Sequence, residues 1–191
     1  MLNDLIISKV RVKLLQIFFG NPGQIYHVRD LVRQTHEEIN AVRRELAHLE
    51  RIGLLKREPR ANRVYYSSRK DYPLYFDLLE LVAKTTGLGG NVLKNKVKLG
   101  RIKFAMLSGR FARGEPSGQD HVDLLVVGAI VLPELAAIVR ETEHKRGAEI
   151  NYTVMTEEEY VFRKTRRDPF LLSILEGSRI MIIGDEEELV K

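Results

Sequence analysis

Ile39, Val42, Leu46, Leu49 and Ile52 recur at helical spacing, whereas Asn40, Arg44 and Arg51 fall on the opposite side. A helix over this stretch must lean on a core with one flank and present amide and guanidinium groups with the other. Gly53 stops it. Behind it, Leu54-Leu55-Lys56-Arg57 and Arg63-Val64-Tyr65-Tyr66 read as two strands, with Pro59-Arg60-Ala61-Asn62 as the turn between them. A two-faced helix followed at once by a basic β-hairpin constrains everything upstream.

Residues 5 to 19 read as a helix with a broad apolar face of Leu5, Val10, Leu14, Leu15, Phe18 and Phe19, closed by Gly20 and the turn Asn21-Pro22-Gly23. Residues 24 to 27 read as extended, and a second helix follows near 28 to 34 with Leu31 and Val32 inward. Thr35-His36 then forms the turn into the two-faced helix, completing a helix-turn-helix unit with a hairpin wing. After the wing, Asp71 is expected to cap a helix with Pro73 in its first turn and Leu74, Leu78, Leu81 and Val82 as its stripe as far as Thr86. The breadth of this face and of the first helix predicts pairing with a second copy of the chain.

Charge divides the same way. Residues 1 to 100 carry 18 Lys+Arg against 10 Asp+Glu, and residues 101 to 191 carry 13 against 16, so the first half is the polyanion-facing half. The 191 residues, 44% of them hydrophobic, suffice for two small cores. With no cysteine there is no disulfide, thiolate metal site or cysteine nucleophile. Neither a signal-peptide pattern nor a membrane-length apolar run is visible, which predicts a cytoplasmic protein without membrane partners.

The segment 87 to 100 holds four glycines and the alternating lysines Lys94, Lys96 and Lys98, and reads as a linker, either a hinge or a short basic helix between domains. Beyond it, strand signals at 102 to 107, 122 to 127, 149 to 155 and 180 to 183 alternate with helix signals. One helix runs from Pro133 to Arg146 and ends at Gly147. Another opens on the capping box Thr156-Glu157-Glu158-Glu159, and a third opens at Asp168-Pro169. The chain is thus expected to be α+β: a winged helix-turn-helix domain over 1 to 86, a linker over 87 to 100, and a small mixed-sheet α/β domain over 101 to 191.

If the apolar stripe of the two-faced helix is inward, its outward face near the start carries Glu37, Asn40 and Arg44, flanked by Arg43 and His48. Arg44 suits guanine, Asn40 adenine, and Glu37 cytosine. Arg29, Lys56, Arg57, Arg60 and Arg63 suit phosphates, where charge matters more than geometry. Through Tyr26-His27-Val28-Arg29-Asp30-Leu31, the run from Val42-Arg43-Arg44-Glu45-Leu46 to Gly53-Leu54-Leu55, and Asn62-Arg63-Val64-Tyr65-Tyr66, this half resembles the ArsR-like winged-helix transcription regulators. The resemblance implies a homodimer on a near-palindromic duplex site.

The second half carries Leu107-Ser108-Gly109-Arg110-Phe111-Ala112-Arg113-Gly114-Glu115 and then His121-Val122-Asp123-Leu124-Leu125-Val126-Val127. It resembles the minimal nucleotidyltransferases of the DNA polymerase β superfamily. That resemblance implies a Gly-Ser loop, two carboxylates one residue apart on the next strand, a third carboxylate on a later strand, and two magnesium ions held against a nucleoside triphosphate. The chain departs from the pattern at three places. Arg110 stands for the serine, His121 for the first carboxylate, leaving Asp123, and Asn151 for the third. Asp120 and Glu149 are the substitute carboxylates, so Asp120, His121, Asp123 and Glu149 form the candidate metal set, and Gly109, Arg110 and Arg113 the candidate nucleotide loop. Imidazole serves magnesium poorly, because that hard cation prefers oxygen.

These readings predict a transcriptional regulator that binds double-stranded DNA as a homodimer. Its second domain is expected to be a nucleotidyltransferase-like module that has lost catalysis, needs no cofactor, and senses a nucleotide or protein effector. Two alternatives stay open. One is an active nucleotidyltransferase using magnesium and a nucleoside triphosphate. The other is an antitoxin-type regulator of a toxin-antitoxin pair.

Overall fold

The computed structural model describes residues 1–115, 118 and 121–191, which divide into two compact units, Met1–Val82 and Ala83–Lys191. Helices and strands mix in both, giving an α+β fold.

The first unit runs α1 (Leu2–Leu5), α2 (Lys9–Gly20), β1 (Tyr26–His27), α3 (Val28–Thr35), α4 (Ile39–Arg51), β2 (Leu55–Arg60) and β3 (Arg63–Ser68), and takes in most of α5 (Tyr75–Thr85). The antiparallel sheet has the order β1-β3-β2, with Arg60 opposite Arg63 so that Ala61 and Asn62 alone make the turn. Leu14, Leu31, Val42 and Leu46 are wholly buried in one core with Phe18, Phe19 and Tyr75. The first helix does not begin at residue 5. Ser8 caps α2 by accepting from the Arg11 N–H, and Leu5 is 72% exposed rather than in the core. The helix after the wing also begins later than expected, because the Asp71 carboxylate is taken by Arg69 instead of capping a helix. At the other end of α4, Ile52 is exposed rather than part of the buried stripe.

The second unit continues with α6 (Gly87–Lys94), β4 (Gly100–Ser108), α7 (Gly109–Ala112), β5 (Leu124–Ile130), α8 (Leu132–Arg146), β6 (Tyr152–Met155), α9 (Glu157–Thr165), α10 (Pro169–Glu176), β7 (Arg179–Ile183) and α11 (Glu186–Val190). Its sheet has the order β6-β5-β4-β7, with β5 and β6 parallel and the other pairs antiparallel. One apolar layer gathers Leu124, Val126, Leu135 and Ile180, and another gathers Phe104, Leu125, Val127 and Leu171, so the central strands are buried on both faces.

Of the two forms expected for 87 to 100, the short helix is present and the hinge is not, but the helix belongs to the second unit instead of standing between domains. Residues 87 to 94 form a helix whose Leu88, Gly89, Gly90 and Val92 are buried in the second unit, and Leu99 is buried with them. A Cβ on Gly89 would run into the carbonyl of Ala83 and the side chain of Ile182. The glycine there permits close packing instead of supplying a hinge.

Candidate functional site

The outward row of α4 is Asn40, Arg43, Arg44, Ala47 and Arg51, all exposed and spaced to share one face. Val42, Leu46 and Leu49, buried below, fix the direction of that row. Two tethers hold the helix from the side of α2. The Glu45 carboxylate accepts from Ser8 Oγ at 2.7 Å and from Arg11 Nε at 2.9 Å. Burial raises the Glu45 pKa, yet the Ser8 and Arg11 hydrogen bonds outweigh it and hold the carboxyl below its ordinary value. Its contribution to stability is therefore present above the ordinary carboxylate range and lost as the pH falls through the lowered value. Lys13 Nζ bridges the turn before α4, donating to the Thr35 carbonyl at 2.7 Å and to Glu37 at 2.6 Å.

The second tether changes the place of Glu37. It precedes the α4 N-cap, Glu38, and its carboxylate is committed to Lys13 instead of standing free beside Asn40. His48 is also occupied: its Nδ1 lies 3.0 Å from Arg51 Nη2.

Between α3, the start of α4 and the wing lies an open cleft of about 520 Å³ lined by Arg29, Arg43, Arg57, Asn62 and Arg63. The sequence groups Arg29, Arg57 and Arg63 as phosphate contacts and sets Arg43 on the flank of the reading helix; the fold brings all four to one concavity. Asn62 joins them because the two-residue turn carries it into the cleft, a position that could not be read before the hairpin register was known. Lys56 and Arg60 are on the other side of β2, where Glu58 pairs with Lys56 at 3.0 Å and with Arg60 at 2.8 Å. Arg60 also covers the Tyr65 ring at 5.2 Å from its centroid. The hydrogen bond from Arg60, then that from Lys56, holds the Glu58 carboxyl below its ordinary value. Sequence analysis missed Glu58, although alternation by two along a strand puts 56, 58 and 60 on one side. Replacing Glu58 with glutamine is expected to release both cations and to raise affinity for any duplex severalfold, with log K falling about one unit more steeply per unit of log salt. Duplex titrations at several salt concentrations check this.

In the second unit, Ser108 caps α7 and its Oγ lies 2.9 Å from His121 Nε2. Arg113 Nε donates to Glu115 at 2.6 Å and Arg113 Nη1 to Ser178 Oγ at 3.2 Å, while Arg110 pairs with Glu115 at 3.5 Å. Gly109 fits because a Cβ there would run into Ser178 Oγ. Asp123 is wholly buried. Its Oδ2 accepts the Asn151 N–H at 3.0 Å, and its own N–H donates to the Asn151 carbonyl at 2.7 Å. Asn151 Nδ2 donates to the Gly118 carbonyl at 3.1 Å. Glu149 is exposed and lies before β6, which starts only at Tyr152, so strand alternation does not bring it and Asn151 to a common face. Asp120 lies outside the described residues.

Among the described residues, these donors do not make up a two-magnesium site. Asp123 Oδ2 accepts the Asn151 N–H, His121 Nε2 lies against Ser108 Oγ, and among the described residues no group of three or more His, Cys, Asp or Glu side chains is placed to hold a metal. Among the described residues, the lining of a cleft of about 450 Å³ beside His121, Asn151, Tyr152 and Phe170 has no carboxylate.

No family model matches the chain. A curated protein of Methanocaldococcus jannaschii, "Putative protein adenylyltransferase MJ0604", is 33% identical over 91 residues, which are 48% of this chain and 88% of that protein. The chain belongs to the family of that protein. The match spans about half of this chain. Among solved structures, reduced HlyU from Vibrio cholerae N16961 aligns with a TM-score of 0.33 at 23% identity, over 42% of this chain and 83% of that one. No helix among the described residues is long and apolar enough to cross a membrane.

Proposed function

We propose that the chain is a duplex-DNA-binding transcriptional regulator, in which α4 and the wing contact DNA and the nucleotidyltransferase-like unit serves as a sensing or protein-contact module without catalysis. The observation that carries this reading is the convergence of Arg29, Arg43, Arg57 and Arg63 on one cleft beside the exposed Asn40-Arg44 face. Phosphates neutralised in the cleft hold the helix in register, and the α4 row reads base edges. The exposed apolar side chains Ile7, Leu74 and Phe76 support pairing of two copies, which requires a site with two-fold symmetry.

Selection of bound sequences from a random duplex pool at two salt concentrations tests it. Enrichment of an inverted repeat is expected. Arg57→Ala and Arg63→Ala are each expected to weaken all sequences alike and to flatten the salt slope by about 0.9 per lost phosphate contact. Absence of any enriched sequence overturns the reading.

The relative's name favours a second reading, nucleotidyl transfer to a protein. Labelled nucleoside triphosphate, magnesium or manganese and cell extract decide between them. Transfer of label by the chain, abolished by Asp123→Asn in a protein that remains folded, replaces the non-catalytic reading.

A further inference from the structure

Lys94, Lys96, Lys98 and Arg101 crowd the turn between α6 and β4, and all four are exposed. The turn is built, not loose: Leu99 is wholly buried, Asn95 Nδ2 closes on the Asn91 carbonyl at 2.9 Å, and the Lys98 and Leu99 N–H groups donate to the Asn95 carbonyl at 2.9 and 3.0 Å. The Leu99 carbonyl accepts from the Val131 N–H at 3.0 Å, tying the turn to the start of α8. These four combine closeness along the chain with a lack of counter-charge, whereas Arg140, Arg146, Lys164, Arg166 and Arg167, also without an ion pair among the described residues, are spread over α8, α9 and the turn after it. Elsewhere in the same unit Lys103, Arg113, Lys145, Arg163, Arg179 and Lys191 each hold a carboxylate. Among the described residues none of Lys94, Lys96, Lys98 and Arg101 takes part in an ion pair, although residues 101 to 191 have more acidic than basic groups. Four like charges within eight residues repel one another, an arrangement that a polyanion relieves.

We propose that this turn is a second phosphate-binding surface, with which the nucleotidyltransferase-like unit grips the backbone of duplex DNA. The proposal rests on the duplex-binding reading above and adds to it a contact outside the winged helix. The chemistry favours a duplex over the alternatives. Residues 87 to 103 contain no aromatic side chain, so there is no platform on which single-stranded bases stack. Only Val97, 94% exposed, is apolar at the tip, too little for insertion into a lipid surface.

The test is a salt titration of the full chain and of its Lys94→Gln/Lys96→Gln/Lys98→Gln variant on a selected duplex, with phosphatidylserine vesicles as a second arm. Three lost phosphate contacts are expected to flatten the slope of log K against log salt by about 2.7 per protomer, so that the affinity lost between 50 and 200 mM salt shrinks about 40-fold. An unchanged melting temperature shows that the fold is intact, since the lysines are exposed. If the wild-type chain prefers a duplex and the variant keeps its slope, the second surface is wrong and the winged-helix reading stands. If the wild-type chain binds no duplex, both fall. Variant-sensitive binding to vesicles with an unchanged duplex slope also overturns the proposal.

Discussion

Asp123→Ala is expected to cost the second unit about 3 kcal/mol, between the penalty for an orphaned buried hydrogen-bonding group and that for a buried charge deprived of its partner. The carboxylate has no exposed surface and accepts the Asn151 N–H at 3.0 Å. The backbone of the same residue donates to Asn151 at 2.7 Å and accepts from the Ser108 N–H at 2.9 Å. Asp123 therefore joins the segment before β6 to the end of β4 at the point where β5 begins. Its charge also supports the Arg146 guanidinium, which desolvation pulls below its ordinary pKa and which stacks at 4.0 Å over Phe111. Asp123→Asn preserves an acceptor and is expected to lose about half as much. Hydrogen exchange of the β5 amides in the full chain measures both. Protection unchanged in Asp123→Ala would show that the carboxylate is not structural, and would return it to the metal-binding role that the nucleotidyltransferase pattern implies.

Elements defined by local chemistry were legible before the fold was known. Thr156 accepts from the Glu159 N–H and Asp168 from the Leu171 N–H, so the caps at α9 and α10 sit where the capping residues predicted. Gly147 closes α8 in the left-handed conformation expected of a terminal glycine. What could not be read was partner choice. The carboxylates of Glu37 and Asp71 are ordinary acceptors in sequence. Only the fold shows that Lys13, 24 residues away, claims the first and that Arg69 claims the second. At 87 to 100 the sequence left a hinge and a short helix both open, and could not place the helix in the second unit's core, for a related reason. A glycine that allows close packing and one that frees a hinge look alike in sequence, and the difference lies in the carbonyl of Ala83 and the side chain of Ile182 that approach Gly89. At the candidate sites, the basic residues of the wing were visible as types, but alternation along β2 separates Arg57 from Lys56 and Arg60, and only the shape of the hairpin end shows that Arg63, opposite Arg60, also lines the cleft.

The Asn40→Ala/Arg44→Ala double variant is expected to lose most sequence preference while retaining duplex binding. Each side chain suits a bidentate base contact worth about 1 to 3 kcal/mol of discrimination, so the pair accounts for about 2 to 6 kcal/mol if the terms add. They are one helical turn apart on the same exposed face, and a shortfall from additivity is expected because losing one contact loosens the docking that the other needs. Neither side chain supports the core: the buried contacts of α4 come from Val42, Leu46 and Leu49 on the opposite flank, and its anchoring to α2 comes from Glu45. The melting temperature should therefore hold. Arg29, Arg43, Arg57 and Arg63 remain in the cleft, so binding to unrelated duplex and its dependence on salt should change little. Competition of the selected duplex against scrambled duplex separates the two effects. If the double variant discriminates as well as the wild-type chain, α4 does not read the bases, and the exposed row on which the regulator reading depends has another use.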